Sequence, residues 1–425
     1  PGADLPAAFA AGLEYRRESS QALPDADGMS GDLFHLGPKV ATIGHYASWE
    51  AFAELNLPLL RDVRFARSLE VTASYRFQDY TTTGTDGSYG LSASWMPVDD
   101  IKFRGAYARA VRAPNVSELF SGTNVSNQSI ADPCDVSRVA TGPAPGNRQA
   151  NCGRLLGSAA ADFVQTPSGK FVVLQGNPNL AAETAHTVTA GIVLAPRWIP
   201  GLVLTGDYYA NEIEGVITSL SAPQIAENCV DSPSLDNDFC RSITRDVSGN
   251  LDVVVAQVFN LARYRTRGWD FGASYRFNLP ANLGRVALQA NATHLRELVY
   301  DPVPLNPALR TRLDRIAPNP TWRSNVNARY ERGKVNVDWN VRYLGGVIRN
   351  WNDVVGDYSM AEAHPDSGSF IQHDVRVGLR FDGYQVYAGV DNLFDAHAPM
   401  TPFTYTHPMY PRIGRNLYAG VRVSF

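Results

Sequence analysis

The last ten residues, 416–425, read NLYAGVRVSF. Leu417, Ala419, Val421, Val423 and Phe425 occupy every second position, with Asn416, Tyr418, Gly420, Arg422 and Ser424 between them. A period of two sends alternate side chains to opposite faces of a strand. This strand therefore has one apolar face, one polar face and an aromatic at its end. A soluble sandwich with one wet face would show the same pattern. The two readings separate on whether the pattern recurs and on what joins the repeats.

It recurs. Leu69, Val71, Ala73, Tyr75 and Phe77 alternate with Glu70, Thr72, Ser74, Arg76 and Gln78. The same alternation runs through Trp269–Phe277, Val335–Tyr343 and Val375–Phe381. In these stretches the charges keep to one face. A charge at the lipid midplane of a β-barrel costs about 2–4 kcal/mol, which would enforce such segregation. A soluble sandwich would also turn its charges outward, so the connections must decide.

Composition narrows the choice. The chain has 425 residues, a net charge of −4 and 44% hydrophobic residues, of which aromatics make up 10% of the whole. A soluble protein of this length would hold several domains at about 100–200 residues each, yet no linker divides it. No apolar run approaches the roughly 18 residues of a spanning helix. A mean hydropathy of −0.21 still suits a barrel, where only alternate residues meet lipid. The near-neutral charge gives no case for nucleic acid. The chain opens on Pro1-Gly2-Ala3 and reads as strand by residues 5–18, so we expect a fragment or a processed product.

About fourteen strands are expected, at roughly 5–18, 46–58, 68–80, 87–97, 101–112, 184–195, 201–217, 262–279, 284–299, 321–332, 334–349, 369–382, 384–394 and 416–425. Short connections rich in Pro, Gly, Asp and Asn follow alternate strands, at 61–67, 97–100, 196–200, 280–283, 332–334 and 382–384. The other connections are mostly long: 19–45, 113–183, 218–261, 300–320, 350–368 and 395–415, with a modest one at 81–86. All tight turns then lie at one end of a sheet and all large loops at the other. That is the organisation of an outer-membrane barrel, with periplasmic turns and extracellular loops. Trp95, Phe277, Tyr330, Phe381 and Phe425 end strands on the turn side, where interfacial aromatics form a girdle.

Three stretches now carry a resemblance. IKFRGAYARAVRAPNVSELF (101–120), GNPNLAAETAHTVTAGIVL (176–194) and VDNLFDAHAP with YPRIGRNLYAGVRVSF (390–425) resemble, in order and spacing, the barrel of TonB-dependent outer-membrane receptors. The resemblance implies an all-β antiparallel transmembrane barrel of 22 strands in the bacterial outer membrane. Residues 1–425 would be one partial barrel domain, with the plug, the TonB box and about eight N-terminal strands missing. It also implies active uptake of a scarce, large solute such as a ferric chelate or oligosaccharide. The partners it implies are outer-membrane lipid, an own or separately encoded plug domain, the TonB–ExbB–ExbD complex and the barrel-insertion machinery. Val421, Val423 and Phe425 resemble the C-terminal signal which that machinery reads. The competing reading is a passive porin or a structural barrel.

No reactive constellation emerges. The eight His residues are scattered, without H-E-x-x-H spacing, and there is no G-x-S-x-G elbow. An enzyme, a metal site and a cofactor are not expected. Val111–Pro114 and Asn177–Leu180 approximate the paired boxes of haem receptors, but the interval between them holds no His to ligate iron. Cys134, Cys152, Cys229 and Cys240 form no C-x-x-C pair, which argues against zinc and thioredoxin chemistry. An oxidising compartment favours two local loop disulfides, 134 with 152 and 229 with 240, because short loops close at lower entropic cost; four free thiols are the alternative.

Strand parity sends Arg76, Arg104, Asp270, Asp338, Arg342, Asp374, Arg376, Arg380 and Arg422 into the lumen, as do Glu70, Lys102 and Arg276. They suit either a solvated wall or a surface that docks the plug. Trp351, Phe403, Tyr405 and Tyr410, in the last two long loops, are candidates for contacting the solute; self-packing of the loops is the plainer role. The loop spanning Cys229 and Cys240 is acidic, with Glu227, Asp231, Asp236 and Asp238 against Arg241.

Face assignment is testable. Val421→Arg is expected to cost about 2–4 kcal/mol at lipid depth, with Arg422→Ala tolerated, in unfolding titrations of the membrane-inserted protein. The opposite ranking would mean a register off by one.

Overall fold

Alternating residues become strands whose backbone groups pair from neighbour to neighbour. The computed structural model describes residues 5–30, 38–166, 169–303, 310–347, 368–399, 409–411 and 413–423. In chain order, the first half holds β1 (Ala8–Ala22), α1 (Ala26–Ser30), β2 (Thr42–Val63), β3 (Ala66–Tyr80), β4 (Gly84–Val98), β5 (Ile101–Arg112), α2 (Val116–Phe120), β6 (Asn124–Gln128), α3 (Pro145–Leu156), β7 (Lys170–Gln175), β8 (Glu183–Leu194) and β9 (Leu202–Ser219). There follow α4 (Ala222–Asp231), α5 (Asp238–Arg241), β10 (Ile243–Arg245), β11 (Leu251–Asn278), β12 (Arg285–Asp301), β13 (Thr311–Arg312), β14 (Trp322–Arg332), β15 (Val335–Leu344), β16 (Phe370–Phe381), β17 (Tyr384–Asp391) and β18 (Asn416–Val423).

Setting aside β6, β7, β10 and β13, which belong to the long connections, fourteen of the eighteen strands form one antiparallel series in sequence order. The series passes from β9 to β11 and continues to β18. These are the fourteen strands expected from the sequence. Two are longer than the alternation indicated. β2 extends to Thr42–Val63, and β11 begins at Leu251, inside what read as a loop. The upper half of β11 is apolar on both faces, with Leu251, Val254, Ala256, Phe259 and Ala262 all buried, so no period of two marks it. Among the described residues no ladder joins β1 to β18. The sheet is open along two edges, as expected of strands drawn from a larger barrel.

The two faces invert the soluble arrangement. The apolar face is the exposed one: Leu13 is 83% and Leu417 73% accessible, and Phe271, Trp339 and Val326 are also exposed. On the polar face Glu50 (6%) and Gln78 (7%) are buried, with no second layer over them. Side chains crowd one another on the concave side of a curved sheet and spread on the convex side. A recess of about 280 Å³ lined by Glu70, Lys102, Arg104 and Asp207 lies on the same polar face. This removes the sandwich reading, in which the apolar face would be covered. No described helix is long and apolar enough to cross a membrane.

Aromatics mark the short-turn end of the apolar face. Trp95 stacks on Phe103 at 5.5 Å and donates to the Phe65 carbonyl at 2.9 Å. Phe381 stacks on Tyr384 at 4.9 Å, and the Tyr330 hydroxyl donates to the Leu283 carbonyl at 2.7 Å. Phe425 lies outside the described residues. Val421 and Val423 sit on the exposed apolar face.

Val421 pairs with Val386, only two residues above the Val423–Tyr384 pair at the turn. This depth is near the girdle, where a charge costs about 0–1 kcal/mol, so the cost expected for Val421→Arg falls accordingly. The full cost of about 2–4 kcal/mol belongs to Val326, midway along β14 and paired with Val341 and Ala290. Unfolding titrations in bilayers should show Val326→Arg strongly destabilised and Asn327→Arg, on the polar face beside it, close to wild type.

Candidate functional site

Two regions carry chemistry: the long-loop end above β5–β11, and the polar face. The first is built on the motifs Val111–Pro114 and Asn177–Leu180. Arg112, the last residue of β5, donates to both carboxylate oxygens of Glu183, at 2.7 and 2.6 Å. It also reaches Glu118 at 3.1 and 3.2 Å. Glu118 and Asn115 cap the short α2 reciprocally, at 2.8 and 2.9 Å. The Glu118 carbonyl accepts from the Asn177 amide at 2.8 Å. Asn177 in turn donates to the Val258 carbonyl of β11 at 2.9 Å. Gly176 passes so close that a Cβ there would lie 2.6 Å from the Ser121 nitrogen. The two motifs, far apart in sequence, thus form one hydrogen-bonded clasp at the base of the 113–182 connection.

Above the clasp, the two cysteine-bearing connections pack into a single module. Cys134–Cys152 and Cys229–Cys240 are bonded, with Cα atoms 5.4 and 4.6 Å apart. β7 runs parallel to the upper half of β11, and β6 pairs with β7. α4 turns Ala222, Ile225, Ala226, Cys229 and Val230 into a core with Val172, Leu251 and Val254. Across this core the buried Arg148 grips Asp231 bidentately at 2.7 and 2.6 Å. Asn151 donates to the Val230 and Ser232 carbonyls at 3.0 and 2.8 Å, closing the end of α4. Arg245 of β10 pairs with the fully buried Asp132. Asp135 accepts from the Ser137 hydroxyl and from the Gln165 and Ser137 amides, and these bonds hold it below the usual carboxylate range. Its contribution is present above the ordinary carboxylate pKa and lost as pH falls through its lowered one.

Sequence reasoning placed the four cysteines in two loops but missed that the loops are one body. A signal was there, in the helical spacing of Ala222, Ile225, Ala226, Cys229 and Val230. The acidity of the second loop is largely internal: Asp231 is consumed by Arg148, while Asp236 and Asp238 flank Arg241 at 2.6 and 2.7 Å.

On the polar face the ladders place Arg76, Arg104, Asp270, Asp338, Arg342, Asp374, Arg376, Arg380 and Arg422 together on one side. Arg76 bridges Glu14 (3.1 Å) and Glu50 (2.5 Å). Arg104 holds Asp207 bidentately at 2.7 and 2.6 Å. Asp338 accepts from Arg329 at 2.6 Å, Asp270 from the Thr293 hydroxyl at 2.7 Å, and Asp374 from Gln372 at 2.7 Å. The Arg376 guanidinium lies 4.1 Å over the Tyr387 ring. Tyr410 is buried edge-on to Phe370 at 5.6 Å. Trp351, Phe403 and Tyr405 lie outside the described residues. Among the described residues no group of His, Cys, Asp and Glu is arranged to hold a metal.

With this geometry in place, the comparisons are specific. A family model described as "TonB dependent receptor-like, beta-barrel" matches residues 2–393. Among solved structures, a point mutant of the ferric enterobactin receptor PfeA from Pseudomonas aeruginosa, in complex with enterobactin, is 16% identical, with a TM-score of 0.62 over 100% of this chain and 53% of that one. The siderophore receptor PirA from Acinetobacter baumannii is 17% identical, with a TM-score of 0.63 over 100% and 53%. The FrpB iron transporter from Neisseria meningitidis is 13% identical, with a TM-score of 0.52 over 98% and 53%. The chain spans about half the length of these structures. No curated protein matches it.

Removing one partner of a buried ion pair costs about 3–5 kcal/mol, because the other charge is left uncompensated. Asp231→Ala should therefore open the module to limited proteolysis within residues 134–152 and 229–240. The spanning sheet should keep its heat-modifiable gel mobility. Equal protection of mutant and wild-type loops would mean that the pair does not brace the module.

Proposed function

Because the chain belongs to the TonB-dependent receptor β-barrel family, we propose that it is the greater part of the barrel of an outer-membrane receptor that imports a scarce, large solute. TonB-dependent receptors are transporters rather than enzymes. Residues 1–425 act as one barrel unit, with the apolar face toward lipid and the polar face toward the lumen. The long-loop module lies outside the cell and the short turns in the periplasm. Energy arrives through the TonB–ExbB–ExbD complex, and a plug domain occupies the lumen. A ferric chelate is the favoured solute class, a reading supported by the siderophore receptors among the similar structures.

The observation that carries this reading is the combination of an exposed apolar face with a polar wall rich in charge. A soluble protein has no use for the first. The stapled module gives the long-loop end a built surface rather than a fringe of separate loops, which suits recognition better than free passage.

The test is uptake by cells carrying or lacking the native gene, across a panel of labelled ferric chelates and oligosaccharides. Uptake of at least one solute should vanish on deletion and on addition of a protonophore. Gene-dependent uptake that survives the protonophore would instead identify a passive pore.

A further inference from the structure

The polar wall carries a furrow. On β3, β4, β5 and β8 the ladders align the inward positions into rungs, and two consecutive rungs read Ser74–Gly90–Ala108–Thr187 and Thr72–Ser92–Ala106–Thr189. No side chain in either rung is larger than threonine. Across β14–β16 the rungs read Asn327–Asn340–Asp374 and Arg329–Asp338–Arg376, so longer polar groups fill that wall. A Cβ added at Gly90 would meet only the Ser74 hydroxyl, at 3.0 Å. Gly191, Gly389 and Gly420 also face inward, but Asp207, Tyr418 and Tyr387 lie across them.

Three recesses follow one another down this furrow. The first, of about 320 Å³, has Ser74, Ser88, Gly90 and Ala108 in its lining, with Phe52 at its side. The second, of about 280 Å³, continues through Thr72, Ser92, Ser94 and Ala106. The third, of about 290 Å³, shares Glu70 with the second and reaches the turn end at Ser68, Met96 and Pro58. The charges beside the furrow are of both signs. Arg76 is held by Glu14 and Glu50, Arg104 by Asp207, and Asp86 by Arg109. At the turn end Arg67 ties Asp62 to Asp99, and Arg61 lies 3.7 Å from Asp62. Glu54, Glu70 and Lys102 stand at its flanks. Most of these charges are already matched, so what the furrow offers along its length is hydroxyl groups, each both donor and acceptor.

We propose that this furrow is the path along which the solute moves from the loop half of the lumen to the turn end. It takes a solute with a hydroxyl- or amide-rich surface, which exchanges its hydrogen bonds to water for bonds to serine and threonine; an apolar body finds little to contact. This rests on the receptor reading above, and it adds to it the stretch of wall that conducts and the surface chemistry that passes. Selectivity in a conduit follows its bore and the donors and acceptors that line it. Where a ladder fixes the backbone, the bore widens by shortening side chains, and β3–β5 are the strands on which that has happened over successive rungs.

The test uses the complete native receptor in its own outer membrane, with the labelled panel solute that the gene imports. Ser92→Trp and Ala106→Trp narrow the furrow; Asn327→Trp and Asn340→Trp add bulk to the wall of β14 and β15. Heat-modifiable gel mobility reports assembly, solute retained by de-energised cells reports capture, and entry of a bulky antibiotic normally excluded by the outer membrane reports leak. The furrow variants should lose energised uptake roughly ten-fold, with capture and leak as in wild type, and the other pair should stay within about two-fold of wild type. Where a Trp variant fails to assemble, Ser92→Cys and Asn340→Cys decide, read with a membrane-impermeant maleimide; the four described cysteines are already bonded in pairs. Labelling of Ser92→Cys should quicken in energised cells and slow when unlabelled solute is added in excess, while that of Asn340→Cys should do neither. Unchanged uptake in the furrow variants, equal loss from both walls, or labelling that the solute does not slow would overturn the path and leave the receptor reading standing. Added leak in the furrow variants alone would also overturn it, since the furrow would then be filled by the occluding domain. A wild type without energised uptake of any panel solute would remove the receptor reading, and this inference with it.

Discussion

Everything in this molecule depends on the strand-to-strand backbone ladder. In a soluble domain the core fixes which residues pair, and the ladder follows. Here one face of each spanning strand has no protein layer against it, so the ladder itself is the interior. In hydrocarbon every backbone N–H and C=O must be satisfied within the protein, and neighbouring strands do this along the whole series. Once the ladder is set, the faces are set, because a slip of one residue would bring Arg76 or Asp338 to lipid and Phe77 or Val337 to water. Register is therefore enforced by a cost at every rung.

The long-loop module obeys the opposite logic. It has a conventional core, in which Ile225, Val230, Leu251 and Val254 are fully enclosed, and two disulfides, of which Cys134–Cys152 is buried at both ends. The ion pairs that brace it, Arg148–Asp231 and Arg245–Asp132, are buried rather than solvated. The two regimes meet along β11, whose lower half alternates and whose upper half is apolar on both sides. They also meet at the Arg112–Glu183 clasp, where the two family-like motifs join through hydrogen bonds.

The spanning sheet was legible because its physics is periodic. Trp269–Phe277 or Val375–Phe381 announces both strand and face without any tertiary information, since lipid on one side and water on the other act on every second residue. The module was not legible in the same way. Arg148 and Asp231 are 83 residues apart and mutually satisfied, and nothing local in either stretch signals the other. Leu251–Leu261 was lost to the loop for a related reason: a strand buried on both faces has no alternation to display.

β11 has a mechanical meaning beyond its role in pairing. Its 28 residues make it the longest of the described strands, running from the core of the module to the short-turn end. It is held by β9 and β12 below, and by β7 and β10 above. A load applied along such a strand is carried in shear by many backbone bonds at once, whereas a load across a hairpin peels bonds one after another. A load entering at the module would pass down the sheet along this one strand, whose ladders shift register between Asn260 and Tyr264 and between Arg267 and Gly268.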